Sequence, residues 1–131
     1  MTRDEIWRMD AGRELDALVS EKLMGWTEFS PIDPKIDYGV GINGYRRNYA
    51  KDPDGRLTWF PLYSTDITAA WEVLGKFDEI SVRKYQTINL GLRFVCRIDE
   101  NEEDVIANGL TAPEAICKAA LLTLIERGES F

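Results

Sequence analysis

The chain has 131 residues, 44% of them hydrophobic and 30% charged, with a net charge of −7. That length and balance fit one folded domain with a single core and exclude a disordered chain. The acid excess repels a phosphate backbone at long range, which argues against a general nucleic-acid binder unless the basic residues are clustered.

There is no histidine. Its absence removes the commonest general base near neutral pH and every Ser-His or Cys-His nucleophile pair. The N-terminal "MTRDEIWRMDAGREL" is polar and acidic with no apolar h-region, so it does not read as a signal peptide, and no apolar run approaches the ~20 residues that span a bilayer. The expectation is a cytoplasmic protein without membrane contact.

A first helix is expected from Thr2, with Glu5 three residues on completing a capping box. Trp7, Ala11, Leu15, Leu18 and Val19 fall on one face at helical spacing, Gly12 lies inside the helix, and Gly25 stops it. Residues 27–60 are the least regular part. "SPIDPKIDYGVGINGY" reads as loop, and "RRNYAKDPDGRLTWF" as two short strands around an Asp-Pro-Asp-Gly turn. In "FPLYSTDITAAWEV" a second helix begins. Ile67, Ala70, Trp71, Leu74 and Phe77 mark its buried face, Ser64 or Thr65 its cap, and Asp66 its dipole-stabilised first turn. With no histidine to activate Ser64, the Ser-Thr-Asp cluster is read as a helix start, not a nucleophile.

Beyond Phe77 the period becomes two. From Thr87 to Ile98, apolar Ile88, Leu90, Leu92, Phe94, Cys96 and Ile98 alternate with Thr87, Asn89, Gly91, Arg93, Val95 and Arg97. This is a half-buried strand whose polar face is open to water. "EISVRKY" before it and "EDVIANGL" after it complete an antiparallel meander, with "DENEED" as an acidic turn. The last helix opens at Thr111 with Glu114 as its box partner and Pro113 in the first turn. Between Ala115 and Ile125 Lys118 is its sole charge. A helix apolar nearly all round is buried on several sides, or else residues 111–127 form a homodimer interface. Cys96 and Cys117 read as free, buried thiols.

Three separated blocks, "GRELDALVSEKLMGW", "PLYSTDITAAWEV" and "TAPEAICKAALL", together resemble the phage ABA sandwich domain family. The resemblance implies an α+β fold in which helices and an antiparallel sheet form helix–sheet–helix layers. It also implies a phage or prophage origin and no established activity. The matching residues are caps and apolar faces, so none carries over as catalytic.

Two surfaces are candidates for binding. Residues 38–63 are rich in aromatics, and Tyr45, Tyr49, Trp59 and Tyr63 either form a recognition surface or fasten a long loop to the sheet. Arg93 and Arg97 share a strand face with Asn89, beside Arg46 and Arg47. They either grip a nucleotide-like anion or pair with Asp99, Glu100 or Glu103. Asp33, Asp37, Asp52 and Asp54 lack the calcium-loop pattern, and "GVGING" lacks a phosphate-loop lysine. No metal or cofactor is expected. The leading expectation is a non-enzymatic module binding a host or phage protein; the alternative is a small-ligand binder using Arg93 and Arg97.

Overall fold

A computed structural model describes residues 2–29, 49–89, 91–100 and 103–129. Along the chain these form α1 (Arg3–Arg8), α2 (Arg13–Lys22), β1 (Tyr49–Lys51), β2 (Leu57–Trp59), α3 (Ile67–Leu74), β3 (Glu79–Thr87), β4 (Gly91–Glu100), β5 (Glu103–Gly109) and α4 (Ala112–Glu126). The fold is α+β, with the expected hairpin β1–β2 and the expected antiparallel meander β3–β4–β5. The described residues form four helices where three are expected.

The extra helix arises because the first one is broken. Thr2 caps α1, its Oγ1 accepting from the Glu5 N–H at 3.3 Å, and α1 stops after two turns when the Met9 N–H closes on the Ile6 carbonyl at 3.2 Å. Gly12, expected inside a helix, caps α2 instead, and its N–H donates to Ser64 Oγ at 2.9 Å. The break lets Ile6, Leu15, Leu18 and Val19 reach the core while Trp7 turns outward.

α4 lies at the centre. Thr111 Oγ1 accepts from the Glu114 N–H at 3.4 Å, as the capping box requires, and every residue from Pro113 to Leu124 is buried. One side packs on β4 and β5, while α1, α2 and α3 cover the rest. Within the chain, this burial covers the apolar surface of the helix from Pro113 to Leu124. Gly109 joins β5 to α4 so tightly that a Cβ would stand 2.7 Å from the Ala115 nitrogen. Only glycine lets the strand run directly into the first turn.

α3 is rotated relative to its apolar stripe. Ala69, Ala70 and Val73 face the core, whereas Ile67 is 49% and Trp71 66% exposed. Small side chains allow two helices to approach closely, so the alanines take the contact with α4 and the larger residues are left outside. The cap is Asp66, accepting from the Thr68 N–H at 3.0 Å, and not Ser64 or Thr65.

In the meander, Ile80, Phe94, Cys96, Ile98, Val105 and Ala107 face α4. Arg83, Tyr85, Arg93, Arg97, Ile106 and Asn108 share the opposite face by the same register. The alternating run 87–98 is not one strand. Its start is a hairpin turn, because Gly91 has φ 73, a left-handed conformation suited to glycine, and Thr87 Oγ1 donates to the Gly91 carbonyl at 2.8 Å.

Ser64 is withdrawn from α3 by a sealed polar cluster that fixes the chain entering it. Asp16 is buried on α2 and takes the Ser64 N–H at 2.7 Å and its hydroxyl at 2.6 Å. Arg13 bonds Asp16 at 2.9 Å and the Phe60 carbonyl at 2.7 Å, with its guanidinium 4.1 Å from the centre of the Phe60 ring. Removing one member of such a buried set strands the others. Ser64→Ala is expected to destabilise the fold by about 2 kcal/mol and Asp16→Ala by about 3 kcal/mol in urea denaturation.

Burial raises the Asp16 carboxyl above its ordinary value, against hydrogen bonds from Ser64 and the charge of Arg13. The folded chain therefore holds this proton more tightly than the unfolded chain, and the group's contribution to stability improves as pH falls through the interval between the two values. Asp16→Asn lacks that titration. Relative to this variant, the wild type should gain stability as pH falls from the raised folded-state value toward the ordinary carboxylate range.

Candidate functional site

The two hairpins carry the side chains that the fold leaves outside. In the first, the turn is locked by Asp52, whose Oδ1 accepts from the Asp54 N–H at 2.9 Å and the Arg56 N–H at 2.8 Å. Asp52 is thereby a turn residue. Gly55 supplies the left-handed position at φ 88. β1 is held on its other side by Thr27, which exchanges backbone hydrogen bonds with Lys51 at 3.0 and 2.7 Å. Underneath, Trp26, Ala50 and Phe60 form a small separate core, with Phe29 packed edge-on against Phe60 at 5.5 Å.

On this hairpin Tyr49 and Trp59 are cross-strand partners, their ring centres 4.6 Å apart. Trp59 remains 52% exposed despite that contact, and Leu57, two residues before it on the same side of β2, is also exposed. Tyr63 does not join them. It is 1% exposed, in the main core, and burial pushes its phenol up to about 12. A residue so placed fills volume and cannot form part of a recognition surface, so Tyr63 is corrected to a core residue. Tyr45, with Arg46, Arg47, Asp33, Asp37 and "GVGING", lies outside the described residues.

On the second hairpin Arg93 and Arg97 do share the outer sheet face, whereas Asn89 sits in the turn. Arg97 is held at 3.1 Å by Asp99 and also bonds Asp104. Arg93 donates to the Leu92 carbonyl at 2.9 Å. Arg83 and Tyr85 stand on the same face, and the Tyr85 hydroxyl donates to Asn108 Oδ1 at 3.2 Å. Sequence reading missed these two because β3 was taken as a short flanking strand. Its register with β4 was the signal that would have placed them.

The arrangement offers little for covalent chemistry. Ser64 has a carboxylate partner, yet both are sealed from solvent. Among the described residues, no three His, Cys, Asp or Glu side chains converge as a metal would require. No helix among these residues is long and apolar enough to cross a membrane.

Comparison with known proteins adds two findings. The model of the phage ABA sandwich domain matches residues 17–121. The fold is similar to the crystal structure of a phage protein from Bacillus cereus ATCC 14579, with a TM-score of 0.57 and 23% identity over 87% of this chain and 92% of that one. No functionally curated protein matches.

Burial pushes the Cys96 thiol up to about 12 and the Cys117 thiol well above its ordinary value. Thiolate is the reactive form. A thiol-reactive chromophore should therefore modify neither cysteine in the native protein within minutes, and both at once in denaturant. Rapid modification of the native chain would show that the core opens.

Proposed function

Because the chain belongs to the phage ABA sandwich domain family, we propose that it is a phage-encoded, non-enzymatic module that engages a host or phage protein in the cytoplasm. The contact surface in this reading is the outer side of the β1–β2 hairpin. The observation that carries it is Trp59, half exposed and braced 4.6 Å from Tyr49 on a hairpin whose turn and base are both hydrogen-bonded. Trp and Tyr are enriched among residues that dominate binding energy. A side chain already held by a neighbour loses less freedom when a partner covers it. A non-enzymatic role is supported by the lack of histidine, the two buried thiols and the sealed Ser64.

The alternative, a nucleotide-like anion held by Arg93 and Arg97, loses support from Arg97, whose guanidinium is already bonded to two carboxylates. An added phosphate would have to displace both.

Affinity capture with the tagged chain from phage-infected cells, quantified by mass spectrometry, tests the reading. Trp59→Ala should reduce recovery of the specific partner at least about tenfold, the effect of losing a central aromatic anchor, while the melting temperature stays within a few degrees. Tyr49→Ala should weaken recovery less. Equal recovery with both variants would remove the hairpin as the site. Thermal shift against a nucleotide panel should be flat, since a ligand that binds only the native state raises the melting temperature.

A further inference from the structure

The pairing registers of β4 differ on its two sides. β3 pairs with it from Thr87↔Gly91 to Glu79↔Asp99, whereas β5 pairs with it only from Phe94↔Gly109 to Glu100↔Glu103. Residues 85–87 and 91–93 therefore pair as a two-stranded ribbon extending past the three-stranded sheet. The paired part runs three positions beyond Phe94, to Gly91, so the ribbon projects by about 10 Å before its turn.

Its chemistry differs from that of the rest of the protein. Between Ile80 and Ile98 there is no Asp or Glu, and there are four cations, Arg83, Lys84, Arg93 and Arg97. Setting these four aside leaves −11 on the rest of a chain whose net charge is −7. Arg97, at the base, is occupied by Asp99 and Asp104. Among the described residues Arg83, Lys84 and Arg93 form no ion pair.

The register sends Tyr85 and Arg93 to one face of the ribbon; at its base, where β5 is already paired, Arg83 continues that face and Lys84 stands on the other. At the tip, Ile88 is 99% exposed. It makes no contribution to the core.

Charge complementarity identifies the occupant. A flat acidic protein surface would meet only one face of a ribbon, leaving either Lys84 or the two arginines unused. A nucleic-acid groove has phosphates on both walls, and the major groove of B-DNA, about 12 Å wide and about 8.5 Å deep, admits a two-stranded ribbon. The corresponding groove of duplex RNA is too narrow. In that groove an apolar residue at the leading end can pack against a thymine methyl. The acidic remainder of the chain is repelled by the same phosphates, which restricts contact to the ribbon.

We propose that the β3–β4 ribbon is an arm that enters a groove of duplex DNA, with Arg93 on the arm and Arg83 and Lys84 at its base meeting the flanking phosphates and Ile88 leading. The clustering of basic residues that the acidic composition makes a precondition for nucleic-acid binding is met at this one element. The surface is separate from the Tyr49–Trp59 hairpin, and the two can fail independently.

Fluorescence anisotropy of the full chain with a labelled mixed-sequence duplex of about 25 base pairs tests the arm, starting at about 25 mM salt. Three phosphate contacts predict that the logarithm of the association constant falls with the logarithm of salt with a slope of about −3. Arg93→Gln, Arg83→Gln and Lys84→Gln should each flatten the slope by about one. Ile88→Ser should weaken binding without changing the slope, and Trp59→Ala should leave binding unchanged. All the ribbon positions are exposed or half-exposed, and thermal melts of each variant confirm that folding is intact. No saturable binding at low salt would overturn the proposal, as would binding insensitive to the arginine and lysine variants. Tighter binding to labelled polyglutamate than to the duplex would also overturn it, in favour of an acidic protein partner.

Discussion

The burial of α4 is the constraint on which the other elements depend. From Pro113 to Leu124 every residue of this helix is buried. The other three helices and the β3–β4–β5 sheet are each placed by the part of α4 that they cover. The one cation on the buried stretch shows how strict that placement is. Lys118 donates to Glu114 Oε1 and to the Trp7 carbonyl, both at 3.1 Å. An ammonium withdrawn from water without such partners would cost several kcal/mol. The acceptor on Trp7 is a carbonyl freed by the end of α1, so the early stop of that helix and the charge in the middle of α4 satisfy one another.

A second constraint follows from the first. With α4 filling the centre, the segment between β2 and α3 must cross the start of α2, and the Arg13–Asp16–Ser64 cluster fixes that crossing. It holds the Phe60 carbonyl from below, and so it sets where the Tyr49–Trp59 hairpin stands. Polar burial thereby connects a core that reaches no solvent to a surface that presents an aromatic pair. At the surface, Arg127, which bonds Glu100 through Nε at 2.6 Å, ties the end of α4 to the far end of β4. The ribbon at the opposite end of β4 has no such tie among the described residues.

Features governed by local chemistry were legible in the sequence. The caps at Thr2 and Thr111, the turn at Asp52–Gly55, the meander and the buried last helix all depend on neighbours within a few positions. What was not legible depends on partners far along the chain. Ser64 is a good helix cap in isolation, but Asp16 lies 48 positions away, and nothing in the local pattern announces the bond. The apolar stripe from Ile67 to Phe77 gave the right helix and placed Ala70, Leu74 and Phe77 on the core side correctly. Ile67 and Trp71 stay outside because close approach to α4 favours alanines over larger residues. The alternation from Thr87 to Ile98 ran through a turn because period two does not distinguish a strand from a strand preceded by its hairpin. Of the candidate binding residues, Trp59 and Tyr49 were placed together by strand pairing, Tyr63 was drawn into the core, and Arg97 was neutralised by carboxylates that its own strand and β5 bring alongside.

Native-state hydrogen exchange, followed residue by residue at two protein concentrations, tests the central place of α4 most directly. The amides of Pro113–Leu124 that carry a proton should exchange only through global unfolding, at rates independent of protein concentration, while those around Ile88 and in β2 exchange first. Exchange of α4 ahead of global unfolding, or protection of α4 that rises with protein concentration, would contradict the account. Either result would mean that the helix is covered by something other than its own chain.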